Sequence, residues 1–279
     1  MSWSFTDDVE VYAERAWELL AARPAENTVA LTVVESLRAG QRWSTEPMLF
    51  GWYEAERVSG AVSMTPPYEL LLAAVPDGAT DDLVAALRSR SVPVNGVSGD
   101  PPTVDRFTRV WTAGSAPLAA TTMHMRLYVL GTLRPPMPPA TGRARPAGAA
   151  DVDAMAGWFT DFQREVGVPA VDVEPIVRDR VRNGLLWLWE DDAGSPVSLA
   201  GRNRSAAGVA RVGPVYTPPQ HRRLGYGAAV TAACTGDALE RGADTVVLFT
   251  DLANPTSNSI YQQIGFRPVR DHKVVHFPA

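Results

Sequence analysis

Apolar and polar positions along this chain fall into short blocks that alternate between helical and strand spacing, and the blocks come in the same order twice. Residues 8–22 and 28–39 place apolar side chains at helical spacing and predict two helices. Leu49–Tyr53, Val58–Met64 and Leu70–Val75 are short, apolar and rich in aromatic or β-branched residues, which predicts three strands. Thr80–Arg90 reads as a helix: Thr80 caps it, Asp81 and Asp82 suit the positive end of its dipole, and Arg88 and Arg90 suit the negative end. Val94–Val97, Pro102–Trp111 and Met123–Leu130 follow as strand, helix and strand. The second pass has helices near 151–166 and 172–183, then strands at Leu185–Trp189, Val197–Gly201 and Val209–Tyr216. A run of small and apolar residues, Ala228–Leu239, predicts the next helix, and Thr245–Asp251 a strand buried on both faces. Asn254 suits an N-cap, Pro255 the first helical position, and Gly265 the residue just past the end of a short helix.

Between the two passes lies a stretch rich in Pro, Ala, Gly and Arg, beginning Arg134-Pro135-Pro136-Met137-Pro138-Pro139. Proline belongs neither inside a helix nor in a central strand, so residues 134–149 are expected to be a linker. The expected domains are then 1–133 and 150–279, a duplicated α/β architecture. Each is the size of one small domain.

Candidate chemistry sits after the strand Val209–Tyr216, in Thr217-Pro218-Pro219-Gln220-His221-Arg222-Arg223-Leu224-Gly225-Tyr226-Gly227-Ala228. A strand, a basic glycine-containing turn and a helix start make an anion site, because backbone N–H groups and the helix N-terminus converge there. A Walker loop is excluded, since no Gly-x-x-x-x-Gly-Lys-Ser/Thr string occurs. A dinucleotide fingerprint needs a third Gly or Ala where Val230 stands. The spacing Arg222-x-x-Gly225-x-Gly227 resembles the pyrophosphate loop of the GNAT superfamily of acyl-CoA-dependent N-acyltransferases. The later segment, with Asn254, Ser257, Tyr261 and Gly265-Phe266, is similar to the second half of that family's cofactor site.

That resemblance implies two tandem GNAT-like α/β domains, each a strongly twisted mixed sheet flanked by helices. It implies acetyl-CoA as co-substrate and a primary amine, on a small molecule or a protein, as acceptor. Carried onto this sequence, Val215, Tyr216 and Thr217 meet the pantetheine arm, while Arg222, Arg223, Leu224, Gly225, Tyr226, Gly227 and Ala228 wrap the pyrophosphate. Asn254 and Ser257 hydrogen-bond the cofactor, Tyr261 is the catalytic acid for the departing thiolate, and backbone amides near Val215 polarise the thioester carbonyl. No acid lies on Val209–Tyr216 to serve as base; Glu165 and Asp161, at the end of the first helix of this half, are the candidates, as base or as ligands for a cationic substrate. At the corresponding place the first half has Val75-Pro76-Asp77-Gly78-Ala79-Thr80, with one glycine and no arginine, so it is expected to be a degenerate domain. Two alternatives stay open: a catalytically silent acyl-CoA-binding or interaction module, and a transferase for a longer acyl group.

Composition narrows the partners. At 279 residues, 46% hydrophobic and 20% charged, the chain can bury a sizeable core. A net charge of −5 argues against a general nucleic-acid binder. The single cysteine, Cys234, allows no intrachain disulfide, and the four histidines lack metal-ligand spacing, so no metal is expected. No apolar run approaches the ~20 residues needed to span a bilayer, and the N-terminus has neither a basic start nor an apolar core. A cytoplasmic protein without membrane partners is expected; composition leaves the oligomeric state open.

Overall fold

A computed structural model describes residues 1–43, 45–114 and 120–277, with the backbone alone for 120–122. The first pass of elements is β1 (Ser2–Thr6), α1 (Val9–Ala21), α2 (Thr28–Arg38), β2 (Leu49–Glu54), β3 (Val58–Met64), β4 (Leu70–Ala74), α3 (Ala79–Ser89), β5 (Gly96–Gly99), α4 (Pro101–Trp111) and β6 (Ala120–Leu130). The second repeats the order: β7 (Arg143–Pro146), α5 (Val152–Val166), α6 (Glu174–Arg182), β8 (Leu186–Glu190), β9 (Pro196–Arg202), β10 (Val209–Tyr216), α7 (Tyr226–Glu240), β11 (Thr245–Asp251), α8 (Pro255–Gln263) and β12 (Phe266–His276). Parallel and antiparallel pairs are mixed and helices flank them, as the family resemblance implies.

Two compact units result, and they do not follow the order of the chain. One holds Met1–Leu127, Asp251–Ala253 and Arg270–Ala279; the other holds Tyr128–Thr250 and Asn254–Val269. In the first unit β1, β2, β3 and β4 pair antiparallel in turn, and β4 pairs parallel with β5 (Leu71 beside Ser98). The end of β12 completes it, pairing antiparallel with β5 so that Val275 lies beside Val97. Both valines sit in a core with Leu70, Leu83, Leu87 and Phe107. A set of ion pairs holds the same segment: Arg270 with Asp100 and Glu26, Asp271 with Arg126, and Lys273 with Asp105.

Two elements differ from the sequence reading. β1 was not foreseen, because only Trp3 of its five residues is buried and no period-2 pattern shows. Trp3 anchors it through its indole, which donates to the carbonyl of Ala79 at 3.0 Å. Within the expected linker, Arg143–Pro146 forms β7, paired antiparallel with β8. Charge rather than burial fastens this edge: Arg143 and Arg145 both bind Glu190, whose side chain is 8% exposed. The two guanidinium groups hold the Glu190 carboxyl below its ordinary pKa against the opposing effect of burial.

In the second unit β7, β8, β9 and β10 pair antiparallel in turn and β10 pairs parallel with β11. Strand β8 divides two apolar clusters by its period of two. Leu186 and Leu188 face a cluster with Met155 and Phe159 of α5 and Val177 of α6. Trp187 and Trp189 lie half-buried against the other, which contains Val230 and Cys234 of α7 and Tyr261 of α8. Among the described residues, no helix is long and apolar enough to cross a membrane.

Candidate active site

The site begins where β10 stops following a regular ladder. Its parallel pairing with β11 covers Val209–Val212 against Thr245–Leu248, yet β10 continues to Tyr216 and β11 to Asp251. Pairing with β9 persists on the other side, but the register shifts between Val212 and Val215. Gly213 and Pro214 are the reason. Proline brings no N–H to a ladder, and Gly213 sits at φ 153°, a backbone state that other residues rarely adopt.

Beyond Tyr216 the chain makes a short 3-10 turn, Pro219–His221, and then exposes Arg222, Arg223, Leu224 and Gly225. Two of these residues have left-handed backbones, Arg223 at φ 66° and Gly225 at φ 81°. Gly225 is the N-cap of α7, and no side chain satisfies that helix end. Unclaimed N–H groups at a helix N-terminus attract anions. Thr217 pins the base of the turn: its hydroxyl meets that of Ser198 at 2.8 Å, while Ser198 also bonds the carbonyl of Tyr216 at 3.1 Å. Tyr226 and Ala228 are buried at the start of α7, and Gly227 lies against Thr217.

The two loop arginines have different surroundings. Arg222 donates to both oxygens of Glu165 at 2.8 and 2.7 Å and to the carbonyl of Thr217 at 2.8 Å. It also lies 5.7 Å over the ring of Tyr216, whose hydroxyl donates to the same Glu165 at 3.2 Å. Burial, then the charge of Glu165, raises the pKa of Tyr216 above that of a free phenol. Arg223 makes no hydrogen bond or ion pair among the described residues. Asp161, the other acidic candidate, pairs with Arg164 at 2.8 Å on the surface of α5.

Across the splay, α8 carries Asn254, Ser257 and Tyr261. The Asn254 side chain accepts from the backbone N–H of Ser257 at 3.0 Å, so here it is an N-cap. Tyr261 is buried, with its ring edge-on to Phe266 at 6.3 Å. Burial raises its pKa to about 12 against the smaller opposing effect of a hydrogen bond with Ser257. Gly265 follows at φ 106°, and a Cβ there would overlap the carbonyl of Thr132. Two groups were missed by the sequence reading. Tyr128 donates to Asn258 Oδ1 at 2.8 Å and accepts from Gln262 at 3.2 Å, tying α8 to the end of β6. Arg180 of α6 donates to the carbonyl of Gly213 at 2.8 Å. Glycines inside two neighbouring strands, Gly201 and Gly213, were the available signal of a close approach.

Parallel strands parted at a bulge, a glycine-capped basic turn opening the following helix, and a buried tyrosine on the next short helix define the acyltransferase-like fold of the GNAT superfamily, present here in tandem order. Residues 196–275 match the family of FR47-like proteins. A Drosophila protein shares the fold with TM-score 0.65 at 14% identity, over 96% of this chain and 94% of that one. A GCN5-related N-acetyltransferase from Sphaerobacter thermophilus has TM-score 0.63 at 15% identity, over 98% and 94%. A tandem GNAT protein from the clavulanic acid biosynthesis pathway has TM-score 0.56 at 12% identity, over 99% and 98%. No curated protein matches the chain in sequence. The family match lies in the second half, and the solved structures share the fold over nearly the whole chain.

Proposed function

We propose that the chain is an acyl-CoA-dependent N-acyltransferase that transfers an acetyl group from acetyl-CoA to a primary amine by direct attack, using the second half. The observation that carries this reading is the parting of β10 from β11 after Val212, directly before a basic turn that ends in the uncapped N-terminus of α7. A pantetheine arm pairs with the edge of residues 215–217 as a strand does. Its pyrophosphate takes the N–H groups at Gly225–Ala228, with Arg223 adding charge.

A protonated amine, with pKa near ~10, must lose a proton before attack. Glu165 is the carboxylate next to the turn, held by Arg222 and Tyr216; it receives the cationic acceptor and takes its proton through water. Amides near Val215 support the oxyanion, and Tyr261 meets the departing thiolate. A silent acyl-CoA-binding module is the second reading, favoured by the ion pair that already occupies Glu165.

Thermal-shift and calorimetric titration with acetyl-CoA, desulfo-CoA, NADH and ATP test the cofactor class; a response to NADH alone overturns the proposal. Thiol release with a panel of simple primary amines separates the two readings, because a silent module binds acetyl-CoA and releases no thiol.

A further inference from the structure

At the interruption in β10 a carbonyl takes its hydrogen bond from a side chain. Gly213 lies in the two-residue gap between the pairings of Val212 and Val215 with β9. Arg180 reaches it from α6, with Nη1 donating to the Gly213 carbonyl at 2.8 Å and Nη2 to Asn203 Oδ1 at 3.1 Å. The guanidinium lies 5.3 Å over the ring of Phe159. Position 201 has to be small for this to happen, because a Cβ on Gly201 would overlap Arg180 Nη1. The socket thus has a floor, two acceptors and a notch, all fitted to a planar fork that an ammonium group cannot imitate.

We propose that Arg180 is a positioning residue for acyl transfer: by holding the Gly213 carbonyl it fixes the bulge, and with it the direction of the Val215 and Tyr216 amides that receive the thioester carbonyl. This rests on the acyl-CoA reading above. A hydrogen bond to a permanently charged donor is stronger than a neutral one, so it fixes the orientation of the 213–214 peptide firmly. Small errors in the aim of an oxyanion donor cost turnover more than they cost binding, because the developing charge exists only in the transition state.

The test uses the full chain with acetyl-CoA and saturating ethanolamine, reading kcat by thiol release, acetyl-CoA Kd by calorimetry, and melting temperature. Arg180→Ala removes the donor. Gly201→Ala leaves Arg180 in place but displaces its guanidinium, and Arg180→Lys keeps the charge without the fork. All three are expected to lower kcat by roughly tenfold to a hundredfold with Kd changed less than about threefold. Guanidinium ion at non-denaturing concentration is expected to restore part of the kcat of Arg180→Ala and none of that of Gly201→Ala, where the new methyl fills the notch. Wild-type kcat in Arg180→Ala and Gly201→Ala overturns the assignment, as does a loss of kcat matched by an equal loss of affinity without rescue. Failure of the wild-type chain to bind acetyl-CoA overturns the underlying reading, and this one with it.

Discussion

Replacing Tyr261 by Phe removes one oxygen and leaves the ring in its slot against Phe266, so it isolates what the hydroxyl does. With its pKa raised to about 12 by burial, the phenol holds its proton throughout the neutral range. A free thiol near ~8.5 is far less basic than such a phenolate, and in water it would take little from this donor. The local setting alters that comparison. Cys234, in the same apolar cluster, has its own thiol pushed up to about 12 by burial. In the proposed mechanism the departing thiolate meets Tyr261 at the edge of that apolar cluster, where partial burial raises its proton affinity toward that of the phenol and strengthens a hydrogen bond from it. Losing that donor is expected to lower kcat by ~10²–10³-fold, about 2.7–4 kcal/mol, with acetyl-CoA affinity nearly unchanged. A purely structural hydroxyl gives a different result. It leaves Ser257 without its partner at a cost of about 1 kcal/mol, or a melting temperature lower by roughly 2–4 °C, at normal turnover. Thiol release and calorimetry on the same preparation decide between them. Normal kcat in Tyr261→Phe with intact binding refutes the acid role.

Arg223→Ala is expected to weaken acetyl-CoA binding by roughly tenfold or more, with part of the loss erased at high salt, because that guanidinium has no partner among the described residues to leave. Arg222→Ala is expected to cost less affinity, since its charge is already spent on Glu165; equal losses in calorimetry would show that Arg222 swings onto phosphate. One acetyl-CoA is expected per chain, and two equivalent sites in a titration would sink the view that the first half is silent. Asp237→Ala strands Arg202, whose side chain is 3% exposed, and is expected to destabilise the second unit by about 3–5 kcal/mol. An unchanged unfolding midpoint would mean that solvent takes over the charge.

Most elements were legible because their burial is one-sided or complete. The three strands of each half, the helices that follow them and the stop at Gly265 all carry period, cap or breaker signals in the residues themselves. Edge strands β1 and β7 were not legible, since their stability comes from Trp3 reaching Ala79 and from two arginines meeting at Glu190, both distant in sequence. For the same reason the exchange of β12 was hidden: nothing local to Lys273–His276 says that its partner is Gly96–Gly99. The turn at Arg222–Gly227 could be read because its left-handed glycine and the helix start behind it are local signals. Its neighbours could not. Asn254 looked like a cofactor ligand as well as a cap, and only the bond to the Ser257 N–H shows the cap in place. Arg180 was invisible because its meaning depends on two glycines in other strands.

On the proposed reading, little separates an anion site from its absence on one fold. Helices α3 and α7 occupy the same place in the element order, and each starts from a glycine with a left-handed backbone, Gly78 at φ 86° and Gly225 at φ 81°. Neither N-terminus is capped by a side chain. Backbone geometry therefore does not distinguish them; charge does. The first turn of α3 carries Asp81 and Asp82, one paired with Arg106 and the other accepting from Tyr53 at 3.3 Å. Those carboxylates satisfy the positive end of the helix from within, and they repel a phosphate that would take the same position. The first turn of α7 has no acid, and Arg223, without a hydrogen bond or ion pair among the described residues, precedes it. Strand β4 also lacks the Gly-Pro pair that interrupts β10; its parallel pairing with β5 runs from Leu70 beside Val97 to Leu72 beside Gly99. Converting one half toward the other thus requires both changes at once: Asp81 and Asp82 removed without a Gly-Pro interruption in β4 leave an anion site with no cleft beside it for the rest of a cofactor.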